Sequence, residues 1–249
     1  MVMLGRYCQT ILNSMPDTTE RKKMRYIQKE FSEKWRHFLW NESLILECSY
    51  EETRYLTRPQ DAGYIQTMIR KQAGTTPILS VLDAFACIGG DSIACMKVHR
   101  GADLHSVQRT DTEEERERFK RLVRNLNAVD RVLKSSRNPR TGELQCHDSD
   151  IKTVLEGPRF EISVLFLDPP WMLDSAISIS SIDVIFQFIE DNVLSVLRSR
   201  RIYPPMICFK LPVAVDDLLS RVNLAARYQV EWCEHIRGKY FVYLLRIAS

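Results

Sequence analysis

The spacing pattern of apolar and polar residues changes along this chain near residue 74. The first part is polar, rich in cations and aromatic rings, and has helical spacing of its apolar residues. From residue 78 onward, short apolar runs typical of buried strands alternate with amphipathic stretches typical of helices. The predicted strands lie within residues 78–85, 102–109, 144–150, 161–168 and 205–212, with two more in 227–248. The predicted helices cover residues 89–100, 111–128, 151–155 and 181–197.

This alternation predicts an α/β domain with a mostly parallel sheet covered by helices on both faces. The tail, residues 227–248, is predicted to form two strands joined at "RGK" and hence an antiparallel hairpin. The sequence therefore predicts a Rossmann-like, seven-stranded sheet that ends in this hairpin. We place the domain at residues 75–249 and a helical N-terminal extension at residues 1–74.

Composition narrows the class of protein. A chain of 249 residues with 45% hydrophobic and 27% charged residues has the balance of a soluble globular protein, and no apolar run approaches the roughly 20 residues of a membrane span. The formal charge of +3 gives no whole-molecule attraction to nucleic acid, although local basic patches could. Seven scattered cysteines without a CxxC pair argue against a zinc site and disulfides. We expect a soluble intracellular protein with no membrane or metal partner, in a compartment that the sequence leaves open between nucleus and cytoplasm.

The stretch "VLDAFACIGGDSIA" joins the first predicted strand to a helix. Gly89 and Gly90 allow the backbone to approach a ligand, and a helix N-terminus offers unpaired N–H groups. The turn lacks the G-x-G of phosphate-binding Rossmann proteins and contains an acid, Asp83. A carboxylate repels a pyrophosphate but suits the cationic amino group of S-adenosylmethionine. The alternative is a plain turn in which Asp83 caps the helix.

Two motifs carry a family resemblance. "DAFACIGG" resembles the first motif of class I S-adenosylmethionine-dependent methyltransferases, and "DPPW" at residues 168–171 resembles the fourth motif of their amino-methylating branch. From about Arg54 to the end, the chain is similar to the trimethylguanosine synthases, which methylate the exocyclic N2 of 7-methylguanosine caps. The resemblance implies this fold, S-adenosylmethionine as cofactor with S-adenosylhomocysteine as product, and capped RNA as substrate. It also implies donor contacts from Asp83, Phe85, Ala86, Gly89, Gly90 and Asp168.

The tetrapeptide suits methylation of an aromatic amine. The Asp168 carboxylate and the Pro169 carbonyl can accept hydrogen bonds from the amine, and Pro170 stiffens the arm. Trp171 offers a flat face to the base, and an indole attracts a cationic 7-methylguanine by roughly 0.5 to 2 kcal/mol. We therefore predict Asp168, Pro169 and Trp171 as catalytic residues, and Trp171 and Pro170 as substrate-binding residues. The alternative is a buried turn packed by the tryptophan.

The sequence departs from the family at several points. Cys87 stands where a glycine is usual, and "MLDS" replaces the family's G-G-P after the tryptophan. Asp111 is the candidate for the ribose hydroxyls, unless it caps the following helix. Asp148 in "CHDSD" is the candidate for the adenine amine. Lys210, near the ligand edge of its strand, is a candidate phosphate contact.

The N-terminal stretch "RKKMRYIQKEFSEKWRHFLW" interleaves cations with aromatic rings, a mixture suited to phosphate contacts and base stacking. Trp35, Phe38 and Trp40 could complete a cap pocket or could pack the helix. Three functions are consistent with the sequence. The first is cap guanosine-N2 methylation, to dimethylated or trimethylated forms. The second is methylation of adenine N6 or of another nucleobase amine in RNA or DNA. The third is a catalytically inactive module that binds caps or RNA.

Overall fold

The computed structural model describes residues 18–39, 41, 44–54, 56–169 and 182–248, and within these ranges seven strands form one sheet. The strand order is β3-β2-β1-β4-β5-β7-β6. The first five strands pair in parallel, and β7 runs antiparallel to both β5 and β6. The strands are β1 Ser80–Asp83, β2 Asp103–Val107, β3 Leu144–His147, β4 Val164–Leu167, β5 Met206–Leu211, β6 Tyr228–Ile236 and β7 Tyr240–Ile247.

Helices connect the strands. They are α1 Thr18–Leu39, α2 Pro59–Ala73, α3 Gly90–Val98, α4 Glu113–Lys134, α5 Ile151–Glu156, α6 Ile182–Ile189, α7 Ser195–Arg200 and α8 Leu218–Arg221. A π-helical turn, Glu190–Leu194, joins α6 to α7, and a 3-10 turn covers Glu52–Arg54. Among the residues that the structure describes, no helix is both long enough and apolar enough to cross a membrane.

Burial on both faces of the sheet explains why the sequences of the middle strands are continuous apolar runs. Every residue of β1, β4 and β5 is buried, because helices cover both faces of the parallel part of the sheet. Strand β6, at the edge, is buried only at its two end residues, Tyr228 and Ile236. The carboxyl ends of β1, β4 and β5 therefore meet at one edge of a rigid sheet, where ligands bind in open α/β folds.

The predicted fold class is confirmed, including the terminal hairpin joined at residues 237–239. Two helices differ from the prediction. Helix α4 continues to Lys134 rather than ending at residue 128. The predicted helix 181–197 is interrupted by the π turn and reaches Arg200, since apolar spacing alone does not distinguish a π turn from an α turn.

The chain divides into two compact units, residues 1–56 and 57–249. This division comes earlier than the boundary predicted at residue 74, because α2 packs against α3 and so lies within the second unit. In the first unit, Ser32 Oγ donates to the Leu46 carbonyl at 3.2 Å and accepts from the Leu46 N–H at 3.0 Å. Trp35 is fully buried and makes an edge-to-face contact with Phe38, which favours the packing alternative for these two rings. Trp40 lies outside the described residues.

Candidate active site

Two predicted site carboxylates meet at the carboxyl edge of the sheet. Asp83 ends β1, and Asp168 follows the last residue of the neighbouring strand β4. Asp83 is only 3% exposed. Its Oδ2 accepts a hydrogen bond from Ser92 Oγ at 2.6 Å, and its Oδ1 accepts one from the Phe85 N–H at 3.4 Å. The N-cap of helix α3 is Gly89 and not Asp83, so the alternative of Asp83 as a helix cap is wrong.

The turn after β1 requires unusual backbone conformations. Gly89 has φ 99°, and a Cβ there would lie 3.0 Å from Leu126 Cδ2, so a side chain at this position meets both strain and crowding. Cys87 has φ 52° and so carries a side chain in the left-handed region. The Ala86 N–H donates to the Val107 carbonyl at 2.9 Å and ties the turn to β2. The turn thus holds the start of α3, at Gly90, against the sheet edge.

A second charged cluster surrounds Lys210, near the end of β5. Its side chain is 3% exposed, and its ammonium donates to Asp168 Oδ2 and to Thr57 Oγ1. The same ammonium lies 3.4 Å from Asp91 Oδ2 and 4.8 Å from the centre of the Tyr240 ring. Thr57 Oγ1 in turn donates to Asp91 Oδ2 at 2.6 Å. The side chains of Lys210, Thr57, Asp91 and Asp168 therefore form one connected network, called the lysine network below.

Burial disfavours the ionised forms of the Asp83 and Asp168 carboxyl groups. It raises the pKa of Asp83 to about 7, and the charges of Asp91 and Asp168 add to this effect. Burial also raises the pKa of Asp168 to about 7, against the opposing pull of the Lys210 ammonium. Burial disfavours the Lys210 ammonium too, but the carboxylates of Asp168 and Asp91 outweigh it and raise its pKa above the ordinary value. A cation bound at this edge would therefore favour the ionised forms of Asp83 and Asp168.

The candidates for the nucleoside part of a donor lie at the ends of β2 and β3. Asp111 and Asp148 are both exposed, and Thr110 Oγ1 donates to the Asp148 carbonyl at 3.2 Å, so the two loops are in contact. Asp111 pairs with Arg109. Its alternative use as a helix cap is wrong, because Thr112 caps α4 in a reciprocal arrangement with Glu115.

The fourth motif is described only in part. Asp168 and the buried Pro169 lie in the described range, whereas Pro170 and Trp171 lie outside it. Phe85, half-buried in the first motif, contacts Phe188 of α6 with ring centres 5.7 Å apart. The roles predicted for Pro170 and Trp171 stay predictions.

Solved structures with the same arrangement of elements were found by comparison. The delta-N METTL16 methyltransferase domain has a TM-score of 0.62 and 10% identity, and the match covers 91% of this chain and 97% of that one. Human methyltransferase 10 domain containing protein has a TM-score of 0.60 and 12% identity, with the same two coverages of 91% and 97%. Precorrin-6y C5,15-methyltransferase from Geobacter metallireducens has a TM-score of 0.50 and 10% identity, over 82% of this chain and 94% of that one.

This chain has the class I methyltransferase fold. No family model matches the sequence, and no curated protein matches it. At these low identities the comparisons establish the fold, and the more specific resemblance to trimethylguanosine synthases stays a prediction.

Three residues at the carboxyl edge of the sheet were not predicted from the sequence. Asp91 follows the two glycines in the first turn of α3, a position that could have drawn attention to it. Ser92, on the same turn, holds Asp83 and lies 2.8 Å from Ser106 Oγ of β2. Thr57 carries no local signal, because it reaches the site from the segment before α2. Lys210 was predicted to contact substrate phosphate. That role stays a prediction, and the structure gives the ammonium partners inside the protein.

Proposed function

We propose that this chain transfers a methyl group from S-adenosylmethionine to the exocyclic N2 amine of a 7-methylguanosine RNA cap. The methyltransferase fold supports the reaction class, and the solved structures that share it include named methyltransferases. The first motif supports S-adenosylmethionine as the methyl donor, and the fourth motif supports an amine as the acceptor. The observation that carries the proposal is the cluster of three carboxyl groups, Asp83, Asp91 and Asp168, beside a single ammonium at the carboxyl edge.

The edge has groups that fit the donor. Oδ1 of Asp91 is buried and has no hydrogen-bond partner among the described residues, so it can accept from an ammonium group. Asp83 supplies a second carboxylate beside the turn. We assign the amino-acid part of the donor to Asp83 and Asp91, in contact with the turn at Phe85, Ala86, Gly89 and Gly90. The ribose and the adenine are assigned to Asp111 and Asp148.

The donor supplies an electrophilic methyl carbon on a sulfonium and leaves as S-adenosylhomocysteine. The lone pair of the acceptor nitrogen forms the new C–N bond while the C–S bond breaks and leaves its electron pair on sulfur, and the nitrogen then releases a proton to solvent. Asp168 Oδ1 and the Pro169 carbonyl accept hydrogen bonds from the amine and so aim its lone pair at the methyl carbon. Trp171 stacks on the base and fixes its plane. The residues act by orientation, which can contribute several kcal/mol to lowering the barrier.

Charge balance favours a cationic acceptor base. If they are all ionised, Asp83, Asp91 and Asp168 carry three negative charges, and Lys210 carries one positive charge. The donor adds an ammonium, a sulfonium and a carboxylate, and one negative charge of the site is still unbalanced. A 7-methylguanine ring carries one positive charge, whereas adenine and guanine are neutral. The cap base is therefore the acceptor that brings the site closest to neutrality.

The test is transfer of labelled methyl from S-adenosylmethionine to a 7-methylguanosine cap analogue, an unmethylated cap analogue and an adenosine-containing oligonucleotide. We expect product only with the first acceptor, and we expect Trp171→Ala to abolish turnover while donor affinity changes little. Equal use of both cap analogues would refute the cap proposal. Transfer to adenosine alone would indicate an adenine-N6 enzyme. Cap binding by calorimetry without S-adenosylmethionine binding or methyl transfer would indicate an inactive binding module.

A further inference from the structure

The lysine network surrounds the carboxylate that we assign to the acceptor amine. The Lys210 ammonium has three N–H donors, and its neighbours are the side-chain oxygens of Asp168, Thr57 and Asp91. The residue is 2% exposed. An ammonium that is buried this deeply and surrounded by three acceptors is poorly placed to bind a phosphate on the RNA.

The network joins parts of the second unit that are far apart in the sequence. Lys210 belongs to β5, Asp168 follows β4, and Asp91 lies in the first turn of α3. Thr57 precedes α2 and closes the network by donating to Asp91 while it accepts from Lys210. Lys210, Thr57 and Asp91 are therefore each fixed by at least two other members, and Asp168 is held by Lys210. A carboxylate that receives a buried ammonium on one oxygen can no longer rotate freely about its Cβ–Cγ bond.

We infer that Lys210 is a positioning residue for Asp168, and that Thr57 and Asp91 hold Lys210 in place for this task. Lys210 occupies Oδ2 of Asp168, so Oδ1 is the oxygen that faces the acceptor amine. The ammonium also favours the ionised form of Asp168 against the effect of burial, and an ionised carboxylate accepts hydrogen bonds without donating one to the amine. The inference rests on the proposed methyl transfer, and it replaces the phosphate-contact role predicted for Lys210.

The two roles of Lys210 predict different kinetics. A positioning residue acts on the reaction step, so Lys210→Met is expected to lower kcat by about 100-fold, the loss typical of a misplaced reacting group. The KM for the cap analogue and the dissociation constant of the donor are expected to change less than about threefold. A phosphate ligand would give the opposite pattern, namely a raised KM for the cap with an unchanged kcat. The matched control is Lys239→Met, which removes an exposed lysine in the loop between β6 and β7.

Thr57 gives a second, milder test in case Lys210→Met does not fold. Thr57→Val keeps the shape of the side chain but removes the hydroxyl, and is expected to lower kcat by about tenfold. Thr57→Ser keeps the hydroxyl and is expected to restore kcat to within about twofold of the wild type. A purely structural role would leave the kcat of both folded variants unchanged.

These outcomes separate the inference from the proposed function. An active wild type with an equally active Lys210→Met or Thr57→Val variant overturns the positioning role and leaves the methyl-transfer proposal intact. A raised KM for the cap with an unchanged kcat in Lys210→Met restores the phosphate role. A wild type that transfers no methyl group to any acceptor overturns the proposed function and this inference together.

Discussion

Asp168→Asn is expected to lower the turnover of methyl transfer by about 10²- to 10³-fold, the loss that follows removal of one aimed hydrogen-bonding group from an active site. An asparagine side chain can present its NH2 group to the acceptor amine and lacks the charge that holds Lys210. We expect donor affinity to change less than about tenfold, because Asp83 and Asp91 are still present. Single-turnover kinetics and donor calorimetry on the same preparation measure both quantities.

The control for Asp168→Asn concerns stability. The substitution leaves the buried Lys210 ammonium without its main partner, which costs about 3 kcal/mol when one member of a buried ion pair is removed. The double variant Asp168→Asn with Lys210→Met removes both charges and is expected to recover most of that stability. Its turnover should stay low. Recovery of turnover in the double variant would mean that Asp168 is needed for folding and not for orienting the acceptor.

Asp83→Asn is expected to weaken S-adenosylmethionine binding by about 100-fold, because it removes a desolvated carboxylate from the cationic end of the donor. Asp83 is nearly fully buried, and Ser92 Oγ still has an acceptor in asparagine, so the local fold should persist. The matched control is Asp183→Asn, an exposed carboxylate on α6 that pairs with Arg221. Unchanged donor affinity in Asp83→Asn would place the donor elsewhere.

The pH dependence of donor binding gives an independent measurement of the same residue. Burial and the neighbouring Asp91 and Asp168 raise the pKa of Asp83 from 3.8 to about 7. The folded protein therefore holds a proton, between these two values, that the unfolded chain has released, so the stability of the free protein falls as pH rises through this window. A cationic donor prefers the ionised carboxylate. Its affinity should rise about tenfold from pH 6 to pH 8 and level off above.

The Asp83→Asn variant isolates this effect. Asp168 titrates in the same range and faces the same edge, so the wild type reports both groups. In Asp83→Asn the contribution of Asp168 is retained and that of Asp83 is lost. A pH profile that is identical in the wild type and the variant would show that Asp83 does not bind the cation.

Local sequence patterns predicted the sheet and the first motif because each depends on neighbouring residues. The run "VLFLD" gives a strand buried on both faces that is followed directly by Asp168, and Gly89 marks the left-handed turn before α3. The seven strands and the hairpin follow from the same short-range signals. Asp83 and Asp168 were predicted to share a site because the family resemblance of the two motifs implies donor contacts from both.

The lysine network could not be predicted from local sequence patterns. Its hydrogen bonds join residues separated by 34 positions for Thr57 and Asp91, and by 153 positions for Thr57 and Lys210. Burial of Lys210 follows from the antiparallel β7, which pairs with β5 and places the Tyr240 ring beside the ammonium. A lysine near the ligand edge of a strand looks like a phosphate contact until its neighbours in space are known.

The most direct measurement is a crystal structure of the protein with S-adenosylhomocysteine and a 7-methylguanosine cap analogue. We predict the homocysteine ammonium within hydrogen-bonding distance of Asp83 or Asp91, and the guanine N2 amine at Oδ1 of Asp168 with Lys210 still on Oδ2. A complex in which the product binds away from the ends of β1 and β4, or in which the guanine amine points away from Asp168, would contradict this account.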